Sequence, residues 1–175
     1  MGSADWYVGT MKGVVVSVCP SARLVDICHE VSKQDIREAG FMLRVSYHYF
    51  PEGTIFLCVV DPEVGWSRLP IVARSERYFF VAPDNGVLTP VEKESRSWEV
   101  RVIDNPGFRL AQPSATFRGR DIFAPAAGHL ARGAAFEEFG PPLENPSRLL
   151  ATETVRRGKD SLSGRIMYID SFGNL

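Results

Sequence analysis

Asp61 and Arg68 stand seven residues apart at the two ends of the loop in DPEVGWSR. A carboxylate and a guanidinium held across a tight loop can hydrogen-bond and orient a water molecule, a task that asks for fixed geometry more than for a special pKa. On spacing alone the favoured reading of the same two residues is an ordinary ion pair closing a loop, since many charge networks are structural only. A second charged stretch, TFRGRD from Thr116 to Asp121, gathers two arginines, an aromatic ring and a flexible glycine ahead of a predicted helix. That setting suits an anion or a polar ligand near a helix amino terminus. A capped helix with solvent-facing arginines is the plainer reading. PDNG, Pro83 to Gly86, is a turn signal in any context. His29, His48 and His129 lack metal-ligand spacing and read as surface or satisfied core residues.

The chain that must position these groups has 175 residues, 45% of them hydrophobic and 23% charged, which is enough to bury one ordinary globular core. Its formal net charge of -1, with both signs interleaved, gives no electrostatic reason to expect nucleic acid or an anionic membrane as partner. Cys19, Cys28 and Cys58 are odd in number and widely spaced, so neither a disulfide framework nor a zinc site is indicated, and a reducing cytoplasm fits best. No apolar run is long enough to cross a bilayer, and the amino terminus has no secretory pattern.

Apolar segments alternate with turn signals in the manner of an α/β fold. Trp6 to Val18 predicts a helix closed by Pro20, and Arg23 to Cys28, RLVDIC, a short buried strand. Ser32 and Asp35 resemble a capping box for a helix reaching about Tyr49, where Pro51 ends it. TIFLCVV, Thr54 to Val60, is the strongest strand candidate. It is apolar enough for the middle of a sheet, and it delivers Asp61 at its carboxyl end. Further strands are predicted over Ile71 to Arg74, Tyr78 to Val81, Trp98 to Ile103 and Arg165 to Ile169, with a helix from about Asp121 to Ala131. This order predicts a Rossmann-like, largely parallel sheet flanked by helices, with ligands beyond the carboxyl ends of its strands. Gly133 to Gly158, rich in glycine and proline, reads as a connector. The expected division is an α/β domain over 1–140, a linker over 141–163, and over 164–175 the start of a β domain left unfinished.

YVGTMKG, VDICHEV, YFPEGTIFLCVVDPEVG, APDNGVL, TFRGRDIFAPAAGHLARG and YIDSFGNL occur here in the order and approximate spacing of the S-adenosyl-L-methionine hydroxide adenosyltransferase family. Six segments in register over nearly the whole chain are far more specific than any one alone. The chain therefore resembles that family, which is related to enzymes that use chloride or fluoride on the same substrate. The resemblance implies hydrolysis of S-adenosyl-L-methionine to adenosine and methionine, by in-line displacement at the ribose C5′ with water as nucleophile. It implies no metal and no cofactor.

In the hydrolytic members an Asp, an Arg and a His surround the water, and the first two match Asp61 and Arg68. The halogenating relatives carry a tyrosine at the position of Asp61, so the carboxylate here argues for water. The third position departs from the pattern. The family's TFHGRD is TFRGRD in this chain, and Arg118, which cannot act as a base near neutral pH, stands where histidine is usual. Glu63 likewise replaces the glycine of DPGVG. The resemblance further places Gln34, Thr116 and Phe117 along the substrate, and Asp170, Phe172 and Asn174 against its methionine and adenine portions. It implies a homotrimer with sites between subunits.

Family members begin with an apolar strand ending in TDFG and continue past FGNL into a small β-barrel. GSADWYVG at Gly2 looks like the continuation of the first, so pieces at both ends are expected to be missing. A catalytically silent nucleoside-binding or assembly module of the same fold is the alternative to an active hydrolase.

Overall fold

The structure is a computed structural model that describes residues 4–62, 68–114, 116–150, 156–163 and 166–174. Gly2, Glu63 and Arg165, which figure in the sequence reading, lie outside the described residues. Helices α1 (Tyr7–Val18), α2 (Ile36–Ser46), α3 (Thr89–Glu92) and α4 (Ala124–Ala131) surround strands β1 (Ile55–Leu57), β2 (Pro70–Ser75), β3 (Phe79–Pro83) and β4 (Trp98–Val102). A separate pair, β5 (Arg156–Arg157) and β6 (Leu162–Ser163), runs antiparallel.

The α/β organisation is as expected, but the sheet is mixed rather than largely parallel. Its order is β1-β3-β2-β4, with β1 parallel to β3 and the other two pairings antiparallel. The cause is local. Only three residues join β2 to β3, and the Ser75 amide donates to the Tyr78 carbonyl at 2.9 Å. A connection that short makes a hairpin, because a parallel partner needs a crossover of a dozen residues or more.

Alternation along the strands divides the core in two. Phe56, Ile71, Ala73, Phe80 and Ala82 face Ala39 and Leu43 of α2 and Val91 of α3. Val72 and Val81 face Ile122, Phe123 and Ala126, joined by Phe136 and Phe139 from within the segment expected to be only a connector. Residues 136–139 form a 3-10 turn there and belong to this core.

Two expectations fail on one side of the sheet. The run Thr54 to Val60 is an edge rather than a central element, with strand pairing confined to Ile55–Leu57. Arg23 to Cys28 forms no strand and lies exposed, Val25 by 70%. Among the described residues nothing lies between these two segments to pair with either. A cavity of about 460 Å³, lined by Met11, Val15, Val25, Ile55 and Val59 among others, separates them. Residues 166–169 likewise carry no strand.

α2 begins at Asp35, whose side chain accepts from the Arg37 and Glu38 amides, while Glu38 reaches back to the Ser32 amide at 3.0 Å. Asp35 is therefore the cap, and the reciprocal bond goes to Ser32. No helix among the described residues is long and apolar enough to cross a membrane.

α1 crosses α4 at Gly128, where an added Cβ would sit 2.8 Å from the Val18 Cβ. Gly13, on the same helix as Val18, has nothing within 4 Å of such an atom. Gly128→Ala should therefore destabilise the chain by about 1–3 kcal/mol through overpacking, and Gly13→Ala should stabilise it by about 0.5–1 kcal/mol. Urea unfolding midpoints at unchanged slope check both. A neutral Gly128→Ala would mean that the helices do not cross this closely.

Candidate active site

The Cys58 amide donates to the Val81 carbonyl at 3.0 Å, prolonging the ladder by one bond. The pairing is then taken over by a side chain, since Asn85 Nδ2 donates to the Val60 carbonyl at 2.7 Å while Asn85 Oδ1 accepts from the Val87 amide. The Asp84 amide donates to the Leu69 carbonyl at 2.9 Å. The PDNG turn thus holds the residue before Asp61 and the residue after Arg68, and so fixes both ends of the intervening loop.

The Asp61 carboxylate, whose side chain is 7% exposed, lies between two guanidinium groups. Arg68 Nε is 3.7 Å from Oδ1, and Arg118 Nη1 is 3.7 Å from Oδ2. Both separations exceed hydrogen-bond length, so the attraction is Coulombic rather than a locked fork. At an effective dielectric of ~20 each contact has a gross strength of about 4 kcal/mol, most of which the burial of the charges consumes. The structure thus brings Asp61 together with both arginines expected beside it, Arg68 and Arg118.

Arg118 is the most enclosed of the three and is only 4% exposed. The reading of TFRGRD as a helix with solvent-facing arginines therefore fails at this residue. Arg118 Nη2 donates to the Arg68 carbonyl at 2.6 Å, and its Cζ lies 5.5 Å from the centre of the Phe123 ring. Burial lowers its pKa, and the nearby Asp61 charge opposes that shift. The Arg109 charge adds to the lowering.

Arg118 is presented by a π-helical turn, Gly119–Phe123, leading into α4. Such turns are strained and are frequent at functional sites. Here Asp121, 1% exposed, anchors the turn. It accepts from Arg120 Nε at 2.6 Å, Arg120 Nη2 at 3.0 Å and the Ser114 amide at 2.8 Å, and its carbonyl accepts from the Leu110 amide. Phe117 stands beside Trp6 and Tyr7, with ring centres 5.6 and 5.8 Å away, and Arg120 lies 4.9 Å over its face. Thr116 is exposed, and its amide donates to Ser114 Oγ.

The remaining substrate candidates lie outside this cluster. Gln34 is exposed with a φ of 67°, a left-handed conformation uncommon for a non-glycine residue and characteristic of constrained sites. Asp170, Phe172 and Asn174 form a turn of their own. Asp170 accepts from the Phe172 and Asn174 amides and from Asn174 Nδ2, and the last of these bonds is foremost in holding its pKa low. Phe172 is 90% exposed.

Asn85 and Asp121 escaped the sequence reading because a turn motif and a helix-start acid look alike whether or not they hold a site. Burial alone would raise the Asp121 pKa, but Arg120 and the Ser114 amide outweigh it and hold the group below its ordinary value. The stabilisation from that ionised group is therefore present above the unfolded value of about 3.9 and lost as pH falls through the lower, folded value. The urea midpoint of Asp121→Asn should fall less steeply with pH below about 4 than that of the parent. Equal slopes would place the acid sensitivity elsewhere.

The model of the SAM hydroxide adenosyltransferase N-terminal domain matches residues 1–140. The (R)-S-adenosyl-L-methionine hydrolase of Salinispora arenicola is 36% identical over 177 residues, covering 99% of this chain and 67% of that protein. A fluorinase of Nocardia brasiliensis is 31% identical over 208 residues, covering all of this chain and 67% of that enzyme. A crystal structure of a conserved uncharacterized protein from Thermotoga maritima superposes with a TM-score of 0.91 at 41% identity, covering 98% of this chain and 66% of that one. The chain thus spans about two thirds of the length of these relatives. With a family model over most of its length and a relative above 30% identity along nearly all of it, the chain belongs to the SAM hydroxide adenosyltransferase family.

Proposed function

We propose that the chain hydrolyses S-adenosyl-L-methionine to adenosine and L-methionine, with a water held by Asp61 as the nucleophile. The observation that carries this reading is the buried Asp61 carboxylate set between Arg68 and Arg118 in the segment that follows β1. A polar contact of 3.7 Å is one that a water molecule can bridge.

In this mechanism the water donates a hydrogen bond to Asp61 and directs a lone pair at C5′. The new C5′–O bond forms as the C5′–S bond breaks, and the sulfonium's positive charge is cancelled as its sulfur takes the bonding pair and becomes the thioether of methionine. The proton lost from water passes through Asp61 to solvent. Because the sulfonium is already a good leaving group, the protein mainly orients a poor nucleophile, and the reaction asks for no metal or cofactor. Arg118 stays protonated and takes no proton. It stabilises hydroxide character on the attacking oxygen while Arg68 holds the carboxylate in place. Gln34, Thr116 and Phe117, with Asp170, Phe172 and Asn174, bind the substrate, and the proposal includes a homotrimer whose sites lie between subunits.

A carboxylate at position 61 repels a halide, which favours water over chloride or fluoride as nucleophile. One feature favours a silent nucleoside-binding module instead, namely that Arg118 occupies the place of a titratable histidine.

Incubation with S-adenosyl-L-methionine in water labelled with heavy oxygen should yield adenosine carrying the label on its 5′-oxygen, unlabelled methionine, and the same rate without chloride. Formation of 5′-chloroadenosine, or label in methionine, would overturn the reading. Arg118→His should raise turnover by about 10-fold or more, by restoring a group that can accept a proton. If neither the parent nor Arg118→His forms adenosine, the silent module stands.

A further inference from the structure

The PDNG turn does more than reverse the chain. We infer that it is the docking point for the connector leaving the α/β domain, and that docking there positions the 166–174 segment for substrate binding. Four consecutive connector residues are each held by a different side chain of the first domain. Asp84 accepts from the Ser147 amide at 2.7 Å and from Ser147 Oγ at 3.1 Å. Arg148 makes hydrogen bonds of 2.6 to 3.0 Å to Glu92. The Leu149 amide donates to Thr89 Oγ1 at 3.0 Å, and Arg37 Nη1 reaches the Leu150 carbonyl at 3.3 Å.

Gly86 completes the seat. Its φ is 87°, and a Cβ added there would lie 2.6 Å from the Leu149 nitrogen, so the connector passes where a side chain would stand. A solvated linker between domains runs over the surface with few such ties. The exposed Arg148–Glu92 pair contributes little by itself. The specific parts are the Thr89 hydroxyl, which is buried, and the glycine. Farther along, the Tyr168 ring lies 5.8 Å from Phe41 of α2, so the chain is fastened again just before Asp170.

The same turn faces two ways. Asn85 and the Asp84 amide hold the loop that carries Asp61 and Arg68, while the Asp84 carboxylate and Gly86, with Thr89 at the start of α3 beside them, hold the connector. One turn therefore registers the segment bearing Asp170, Phe172 and Asn174 against the loop bearing the reacting pair. The consequence for substrate rests on the proposed function, whereas the docking does not.

Thr89→Val keeps the shape of the seat and removes its hydroxyl, Thr89→Ser keeps the hydroxyl, and Gly86→Ala blocks the path. In the whole chain, cleavage by trypsin after Arg148 and amide hydrogen exchange over 147–150 and 166–174 report the docking. Thr89→Val should quicken both by about 3- to 10-fold, the value of one lost hydrogen bond. Gly86→Ala should do so further, and Thr89→Ser should match the parent. Unchanged exchange over 147–150 in Thr89→Val would overturn the docking. Faster exchange there with unchanged 166–174 would overturn the positioning role.

Equilibrium binding of S-adenosyl-L-methionine should weaken about 3- to 10-fold in Thr89→Val with the turnover of bound substrate unchanged. An equal affinity beside a released connector would overturn the link to substrate. If the parent binds none, the proposed function fails while the exchange data still decide the docking.

Discussion

A carboxylate withdrawn from water is costly unless cations lie close, and Asp61, just beyond β1, has Arg68 and Arg118 beside it. Much of the surrounding structure sets that contact. Arg68 arrives across a loop whose ends are tied by Asn85 and Asp84, and Arg118 arrives from a π-helical turn anchored through Asp121. Each cation needs its own scaffold, because neither is adjacent to Asp61 in the chain. α1 closes over the turn at Gly119, where an added Cβ would lie 2.9 Å from Met11 Sδ.

Arg118 places a fixed positive charge beside Asp61. A histidine there could alternate between neutral and charged forms near neutral pH. The guanidinium is fixed in charge, buried and bound to the Arg68 carbonyl, so it also braces the loop.

Local signals made much of the fold legible. The helix ahead of Pro20 and the strands β2, β3 and β4 fall close to where apolar runs and turn residues put them. Failures came where a segment's state depends on a neighbour. TIFLCVV reads as a central strand because it is apolar throughout, yet among the described residues it lies at an edge, with Asn85 taking over from the ladder at Val60. RLVDIC has the composition of a strand and, among the described residues, nothing to pair with. The sheet's mixed pairing follows from the three-residue link between β2 and β3, which a count of alternating helices and strands does not register.

At the site, Asp61 and Arg68 were legible as a pair from their spacing and strand position, and the structure brings them together. Arg118 entered through resemblance, and its burial against Asp61 could not be read from TFRGRD, where either arginine could have faced solvent. The most direct test of the central contact separates binding from chemistry in Asp61→Asn, which keeps the shape of the side chain and removes its charge. Equilibrium binding of S-adenosyl-L-methionine should change by less than about 3-fold, while the single-turnover rate of adenosine formation should fall by about 100-fold or more. A single-turnover rate within a few-fold of the parent would contradict the account and return Asp61 to the role of an ion pair closing a loop.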